Sequence, residues 1–233
     1  MALRIFDTDP DAKPAPKKEF TKPEYAFQFR SGMMKGKKPV SLAHWRVLTG
    51  SEDVAQGISE LMGGTPTEFD PSKEFNLEVM TDTSSVLIVI DGSKAIEDKL
   101  ILWGRSGPIH ECDGITSLLP EDKGEPCGCP PSLNERKTLA KAERGPSPNI
   151  TVAFRFAGAG NDLGLGKYTA TAWTFAESLY LVQDALDQIE GEALCRLELE
   201  RVEFTSDKYG AVSYTKPVIT VLGSYNDAIA EER

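Results

Sequence analysis

The chain reads as an α+β protein with strand-rich antiparallel sheets, two principal helices and a metal-stapled loop. Three observations predict this. Many short segments alternate apolar and polar residues, as half-buried strands do. Two longer segments instead carry apolar residues at helical spacing, each set among the strand-like runs. Finally, His110-Glu-Cys112-Asp-Gly is followed by Cys127-Gly-Cys129-Pro-Pro, which puts three of the four cysteines and one of the two histidines within twenty residues.

Taken in order, residues 1–25 form a proline- and lysine-rich arm with little to bury, expected to be flexible. Tyr25 to Arg30 alternates as a strand, Lys35 to Pro39 makes a basic turn, and Val40 to Leu48 returns as a second extended segment. His44 stands alone there beside Trp45 and reads as a packed or surface residue. Ser51-Glu52-Asp53 opens the first helix with a cap residue and two acids at its positive end. Val54, Ile58, Leu61 and Met62 give that helix an apolar face, and Gly63-Gly64 ends it. Phe75, Leu77 and Val79 alternate as a strand. Val86 to Ile90 is a continuous apolar run expected to be a central strand, with Leu100 to Trp103 paired near it.

After the cysteine loop, residues 132–148 begin helix-prone and close on Gly-Pro-Ser-Pro, the best internal boundary. The expected organisation is an N-terminal lobe over 26–148, a C-terminal lobe over 149–224 and an acidic tail over 225–233. In the second lobe Ile150, Val152, Phe154 and Phe156 alternate as a strand, followed by the glycine-rich loop 157–167 and a strand from Tyr168 to Trp173. Thr174-x-x-Glu177 has the form of a capping box. The helix behind it carries Phe175, Leu179, Val182, Leu186 and Ile189, and Gly191 closes it. Cys195, Leu197 and Leu199 then alternate, which places Cys195 in the core and outside the metal cluster. The apolar phase shifts at Val202 and Phe204, predicting a bulge near Glu200 and Arg201. Asp207 to Gly210 turns the chain back into Val212 to Leu222.

The cysteine loop carries the clearest chemistry. Thiolate and imidazole are the ligands zinc prefers, and structural sites close a tetrahedron of four. Cys112, Cys127 and Cys129 supply three, and Gly128 relaxes the tight Cys-x-Cys loop. His110 is the natural fourth, with Glu111, Asp113 or a distant group as alternatives; free thiols or a disulfide are the readings without metal. A closed Zn2+ site of this kind is structural.

The 233 residues carry a net charge of −10, unevenly spread. Residues 1–39 hold nine Lys/Arg against five Asp/Glu, which leaves 17 of the 26 bases and 31 of the 36 acids for the rest. Such an acidic body disfavours direct DNA binding, which rests on phosphate neutralisation, and favours a protein partner. With no apolar leader or 18-residue apolar run, the chain is expected to be cytoplasmic, without a membrane anchor. The glycine-rich loop fits neither phosphate-binding fingerprint, because Asn161 and Leu163 stand where glycines are required and a strand follows. It reads as a mobile hairpin loop whose Leu163 and Leu165 are flexible apolar tips that either touch a partner or simply pack within a β-turn. No nucleophile–base pair or carboxylate pair has diagnostic spacing, so no catalytic residue and no small-molecule substrate are expected. The deaminase pattern is approached at His110-Glu-Cys112 and Pro126-Cys127-Gly-Cys129, but the acid falls one place early and the cysteines one too close.

Gly32…Pro39-Val-x-Leu42-x-x-Trp45-Arg46-x-x-Thr49, then Leu61-Met-Gly63-Gly64, then Cys112-Asp-Gly…Cys127-x-Cys129-Pro follow one another in a telling order. With the glycine-rich loop, Thr174 and Lys216-Pro217, this order resembles phage recombination directionality factors, more narrowly those of actinophages that encode a large serine integrase. The resemblance covers most of residues 26–222. One cysteine expected shortly after the Cys127 loop is missing from Gly145-Pro-Ser-Pro-Asn149, which makes His110 the more attractive fourth ligand. The resemblance implies a bacterial-host cytoplasmic accessory protein without enzyme activity. It would bind the integrase, reach attachment-site DNA only through it, and switch it from attP × attB integration to attL × attR excision of the viral genome. The competing classes are a phage replication or nucleotide-metabolism accessory protein and a zinc-dependent enzyme.

Overall fold

The computed structural model describes residues 25–231, apart from 37, 208 and 209, with the side chains of 159–161 and 231 left aside. All but the last residue of the expected arm, 1–25, therefore lies outside the described residues. The described chain is α+β, built on one large, mostly antiparallel sheet.

The strands are β1 (Phe27–Lys35), β2 (Lys38–Thr49), β3 (Pro66–Glu68), β4 (Leu77–Met80), β5 (Ser85–Asp91), β6 (Ile96–Trp103), β7 (Pro108–Cys112), β8 (Ser147–Phe156), β9 (Gly166–Ala170), β10 (Glu192–Ser206) and β11 (Gly210–Ser224). The helices are α1 (Glu52–Met62), α2 (Leu133–Lys141), α3 (Trp173–Asp187) and α4 (Tyr225–Glu231). The main path runs β11-β10-β5-β8-β9-β1-β2-β4-β3, and β6 branches from β8 to carry β7. Strands from both sides of residue 148 interleave along this path, so that position does not separate one sheet from another.

Alternation explains most of the sheet. In β8 every second residue from Pro148 to Phe156 is buried, the period-2 pattern of a strand with one face inward. Phe27 and Phe29 of β1, Phe154 and Phe156 of β8, and Trp45 of β2 point to the same interior, with neighbouring ring centroids 5.0–5.9 Å apart. Tyr168 of β9 extends the cluster to Phe175 of α3. The Trp45 indole N–H is buried with no hydrogen-bond acceptor among the described residues. β1 and β9 run parallel, with Phe27 opposite Gly166. A Cβ on Gly166 would lie 1.9 Å from the Phe27 ring, so the close approach requires glycine there.

Ser51 caps α1 through Val54 N–H, and Gly63 at φ 76° ends it, as the sequence predicts. Its inward face is Ala55, Ile58 and Met62, whereas Leu61 is largely exposed. In α3, Phe175, Leu179, Val182 and Leu186 are buried as predicted. The predicted capping box is not formed there: Ala172 occupies the N-cap with no side-chain bond, and Thr174 already sits in the first turn. That helix ends at Asp187 with Gln188 as C-cap, three residues before Gly191.

Three other expectations are corrected. β6 pairs with β8 and β7 and not with β5; the central run β5 lies between β10 and β8. The β10–β11 register is unbroken from Cys195 to Ser206, and the irregularity falls at Leu194/Cys195, away from Glu200 and Arg201. The acidic tail begins as helix α4, whose Tyr225 hydroxyl accepts a bond from Gly158 N–H at 3.1 Å. Among the described residues no helix is long and apolar enough to cross a membrane.

Gly166→Ala must push the Phe27 ring out of the aromatic cluster. Overpacking of this kind costs about 1–3 kcal/mol, so the thermal unfolding midpoint is expected to fall by about 2–12 °C for a chain of this size. Scanning calorimetry of the variant beside the parent checks it.

Candidate metal centre

The centre starts from a strand. His110 and Cys112 are two apart on β7, so their side chains leave the same face. β7 is anchored through β6, with Leu102 opposite His110 and Leu100 opposite Cys112. Past Cys112 the chain folds back on itself. The Asp113 carboxylate accepts from the N–H groups of Ile115 and Thr116 and from the Thr116 hydroxyl, a side-chain turn that starts the reversal. These bonds hold its carboxyl below the ordinary aspartate range, led by the Thr116 N–H. Backbone bonds from Ser117 N to Glu125 O and from Cys127 N to Ile115 O then return the chain to the strand. Ser117 is buried and its hydroxyl donates to Asp122 at 2.6 Å. Gly128, at φ 70°, turns the chain so that Cys127 and Cys129 both face back.

The result is convergence. One ligand atom from each of His110, Cys112, Cys127 and Cys129 lies within 4.8 Å of every other, so the group could hold a metal ion. Cys129 Sγ is 3.4 Å from His110 Nε2 and 3.9 Å from Cys112 Sγ. All four cysteines of the chain are free thiols, and 3.9 Å is well beyond a disulfide bond of about 2.05 Å, so the disulfide reading falls away. Cys195 is buried in the core on β10, apart from the cluster. His44 is exposed on β2.

The alternative fourth ligands are engaged elsewhere. Asp113 serves the turn, and Glu111 pairs with Lys99 at 2.9 Å. Burial, more than the crowding of three thiols, sets the electrostatics. Burial, reinforced by neighbouring Cys129 and Cys127, pushes the Cys112 thiol up to about 12, although the Gly114 N–H opposes it. Burial also raises Cys129. Cys127 is half-buried; burial is the largest single influence and raises it, but the Cys129 N–H, the Cys129 and Cys112 thiols and the Arg136 charge together bring it below the ordinary thiol value. A cation at the centre of the group removes the repulsion that three thiolates would otherwise exert on one another.

One residue with a positioning role carries no signal in the sequence pattern. Arg136 of α2 donates through Nε to Pro130 O and through Nη2 to Gly114 O at 2.8 Å. It ties the residue after Cys129 to the loop after Cys112, closing the ligand loop from behind. Ser132 caps that helix through Glu135 N–H, and Lys137 pairs with Glu177 of α3. The two loop leucines, Leu163 and Leu165, are both half-buried. The glycine-rich loop runs through a 3-10 turn, Gly158–Leu163; Leu163 is half-buried against Gly57 of α1, and Leu165 O accepts from Ala26 N. α1 offers the Leu163 side chain a glycine-sized hollow.

No family model matches the chain, and no solved structure matches it.

Removing the Arg136 clamp leaves the four ligands in place but frees the loop that carries two of them. Arg136→Ala is expected to weaken metal binding by about 10–100-fold, as loss of supporting contacts around a metal site does. Competition for Co2+ against a chromophoric chelator, followed in the visible spectrum, measures it.

Proposed function

We propose that the His110, Cys112, Cys127 and Cys129 group holds a structural Zn2+ in a non-enzymatic recombination directionality factor. Zinc–sulfur bonds of about 2.3 Å and zinc–nitrogen bonds of about 2.0–2.1 Å place tetrahedral sulfurs about 3.8 Å apart and a sulfur and nitrogen about 3.6 Å apart. The pairs at 3.9 and 3.4 Å fit that figure. Three soft thiolates and one imidazole select zinc over hard cations. With four protein ligands no position is left for a substrate, which favours a staple over the zinc-enzyme alternative.

Cys127→Ser is expected to lose the ion, bound as one zinc per chain in the parent, and to melt the loop from 113 to 132. Structural zinc contributes about 10–16 kcal/mol of apparent binding energy in small modules. Elemental analysis of protein purified without chelator, with proteolysis of the variant, provides the check; parent protein free of zinc would sink the zinc reading.

The directionality reading is carried by the motif order from Gly32 to Pro217. The positions in that order fall on points that the fold needs: Trp45 and Thr49 are buried in β2, Gly63 caps α1, and Cys112, Cys127 and Cys129 form the staple. The order therefore describes a scaffold, in keeping with a protein that works by binding. Its partner is a large serine integrase in the cytoplasm of a bacterial host, and attachment-site DNA is reached through that partner. Such a factor acts by preferring the integrase arrangement that pairs attL with attR. Moving an equilibrium from 1:99 to 99:1 takes about 5.5 kcal/mol of differential affinity, within reach of an ordinary interface with a few apolar anchors.

With the cognate integrase, purified protein is expected to start attL × attR recombination and suppress attP × attB recombination in vitro. The two proteins are expected to co-elute without DNA. Unchanged recombination in both directions at saturating protein would return the choice to a replication-accessory role.

A further inference from the structure

The segment that forms the β1–β2 hairpin has an unbalanced charge. Between Tyr25 and Ser51 the sequence holds five Lys/Arg and not one Asp or Glu, in a chain whose net charge is −10. The antiparallel register sets Arg30 directly opposite Arg46. Like charges facing each other across a strand pair are destabilising. Among the described residues a single carboxylate is supplied to the two guanidinium groups, and it serves Arg46: Glu78 Oε2 accepts from Arg46 Nε at 2.6 Å. Arg46 also lies 4.3 Å above the Phe69 ring. Arg30 bonds only Gln28 Oε1, at 3.2 Å, and has no carboxylate partner among the described residues. Desolvation and then the Arg46 charge lower the pKa of Arg30, two effects that an arriving anion would offset.

These two arginines line a groove of about 670 Å3 whose apolar parts include Met33, Met34, Val40 and Phe69. Those four side chains are between 37% and 60% exposed. Glu74 also lines the groove, but it makes no ion pair with another of the described residues, and Lys73 is held by Asp70 at 3.4 Å. The volume falls in the ligand range, but a small-molecule site buries most of its ligand, whereas this groove lies open along a hairpin. Methionine side chains adapt to the varied surfaces of peptides.

We propose that this face docks an extended peptide segment of a protein partner, one that sets an Asp or Glu carboxylate against Arg30 and apolar side chains against Met33, Met34, Val40 and Phe69. The acidic remainder of the molecule repels such a segment elsewhere, which confines it to the hairpin. A nucleic-acid backbone is the poorer occupant: it needs a run of cations and no methionine floor, and the acidic body opposes a long polyanion. The inference stands whether or not the partner is an integrase.

The test is a random twelve-residue peptide display selected on the full chain and counter-selected on Arg30→Glu. Enriched peptides should carry Asp or Glu beside Leu, Ile or Phe. By fluorescence anisotropy Arg30→Glu should weaken them at least tenfold and Met34→Asp about fivefold, while Lys94→Glu, outside the groove, changes them less than twofold. Arg30→Glu ends the like-charge pair, so its unfolding midpoint should rise by about 1–3 °C, which also shows that the variant is folded. A lower midpoint, no enrichment, enriched peptides without an acid, or equal binding to Arg30→Glu would each overturn the proposal. So would a 20-base-pair DNA duplex that competes the peptides away at physiological salt.

Discussion

Strand β8 is the constraint on which the rest of the structure depends. Over Ile150 to Val152 it is paired on both edges, to β6 on one side and β9 on the other, and at its C-terminal end it turns the first edge over to β5. Its inward residues supply two rings of the aromatic cluster. A slip of one residue would send Ile150, Val152, Phe154 and Phe156 to the outer face and break three pairings together. The strict burial alternation of this strand is what that demand looks like in sequence. α3 then packs over β8 and β11, closing the apolar face that the sheet cannot cover by itself.

The metal loop depends on the same strand at one remove. β8 holds β6, β6 holds β7, and β7 presents His110 and Cys112. Two ligands are thus fixed by sheet register before the loop contributes the other two. Arg136 fastens that loop from α2, which leads directly into β8. An ion at the centre would lock together a sheet branch, a reversal and a helix N-terminus that have little apolar surface of their own: no residue of α2 is buried.

What could be read from the sequence follows from how local each determinant is. The four residues of the cluster were legible because soft side chains are rare, and their crowding within twenty residues is a local fact. Strands β1, β2, β5 and β8, and the cap and stop of α1, were legible for the same reason. Pairing is not local. That β6 joins β8 and not β5 depends on partners some fifty residues apart, and nothing in Leu100 to Trp103 encodes the choice. Arg136 shows the same limit, because an arginine on a polar helix is ordinary until Gly114 O and Pro130 O are seen on either side of it. Thr174 had the right spacing for a cap, but a helix can start two residues earlier, here from Ala172, when the preceding backbone is already extended. For Leu163 the sequence leaves partner contact and turn packing equally open, because it does not reveal that Gly57 leaves room for the side chain.

The change of phase in β10 carries the last lesson. Cys195, Leu197 and Leu199 face the core, while Val202 and Phe204 are apolar on the other face, and the register between them is unbroken. No bulge is needed, because the strand leaves the core after Leu199 and one continuous ladder then exposes its opposite side. Phe204 stacks edge-on with Tyr214 at 6.4 Å, and both are more than a third exposed. The hairpin is tied back where Thr215 Oγ1 donates to Leu42 O of β2 at 2.7 Å. Exposed aromatic pairs on a held strand are not what solubility alone selects. Folding stability is supplied further down, by β8 and its neighbours, so the outer parts of both long hairpins carry apolar side chains that the core does not bury.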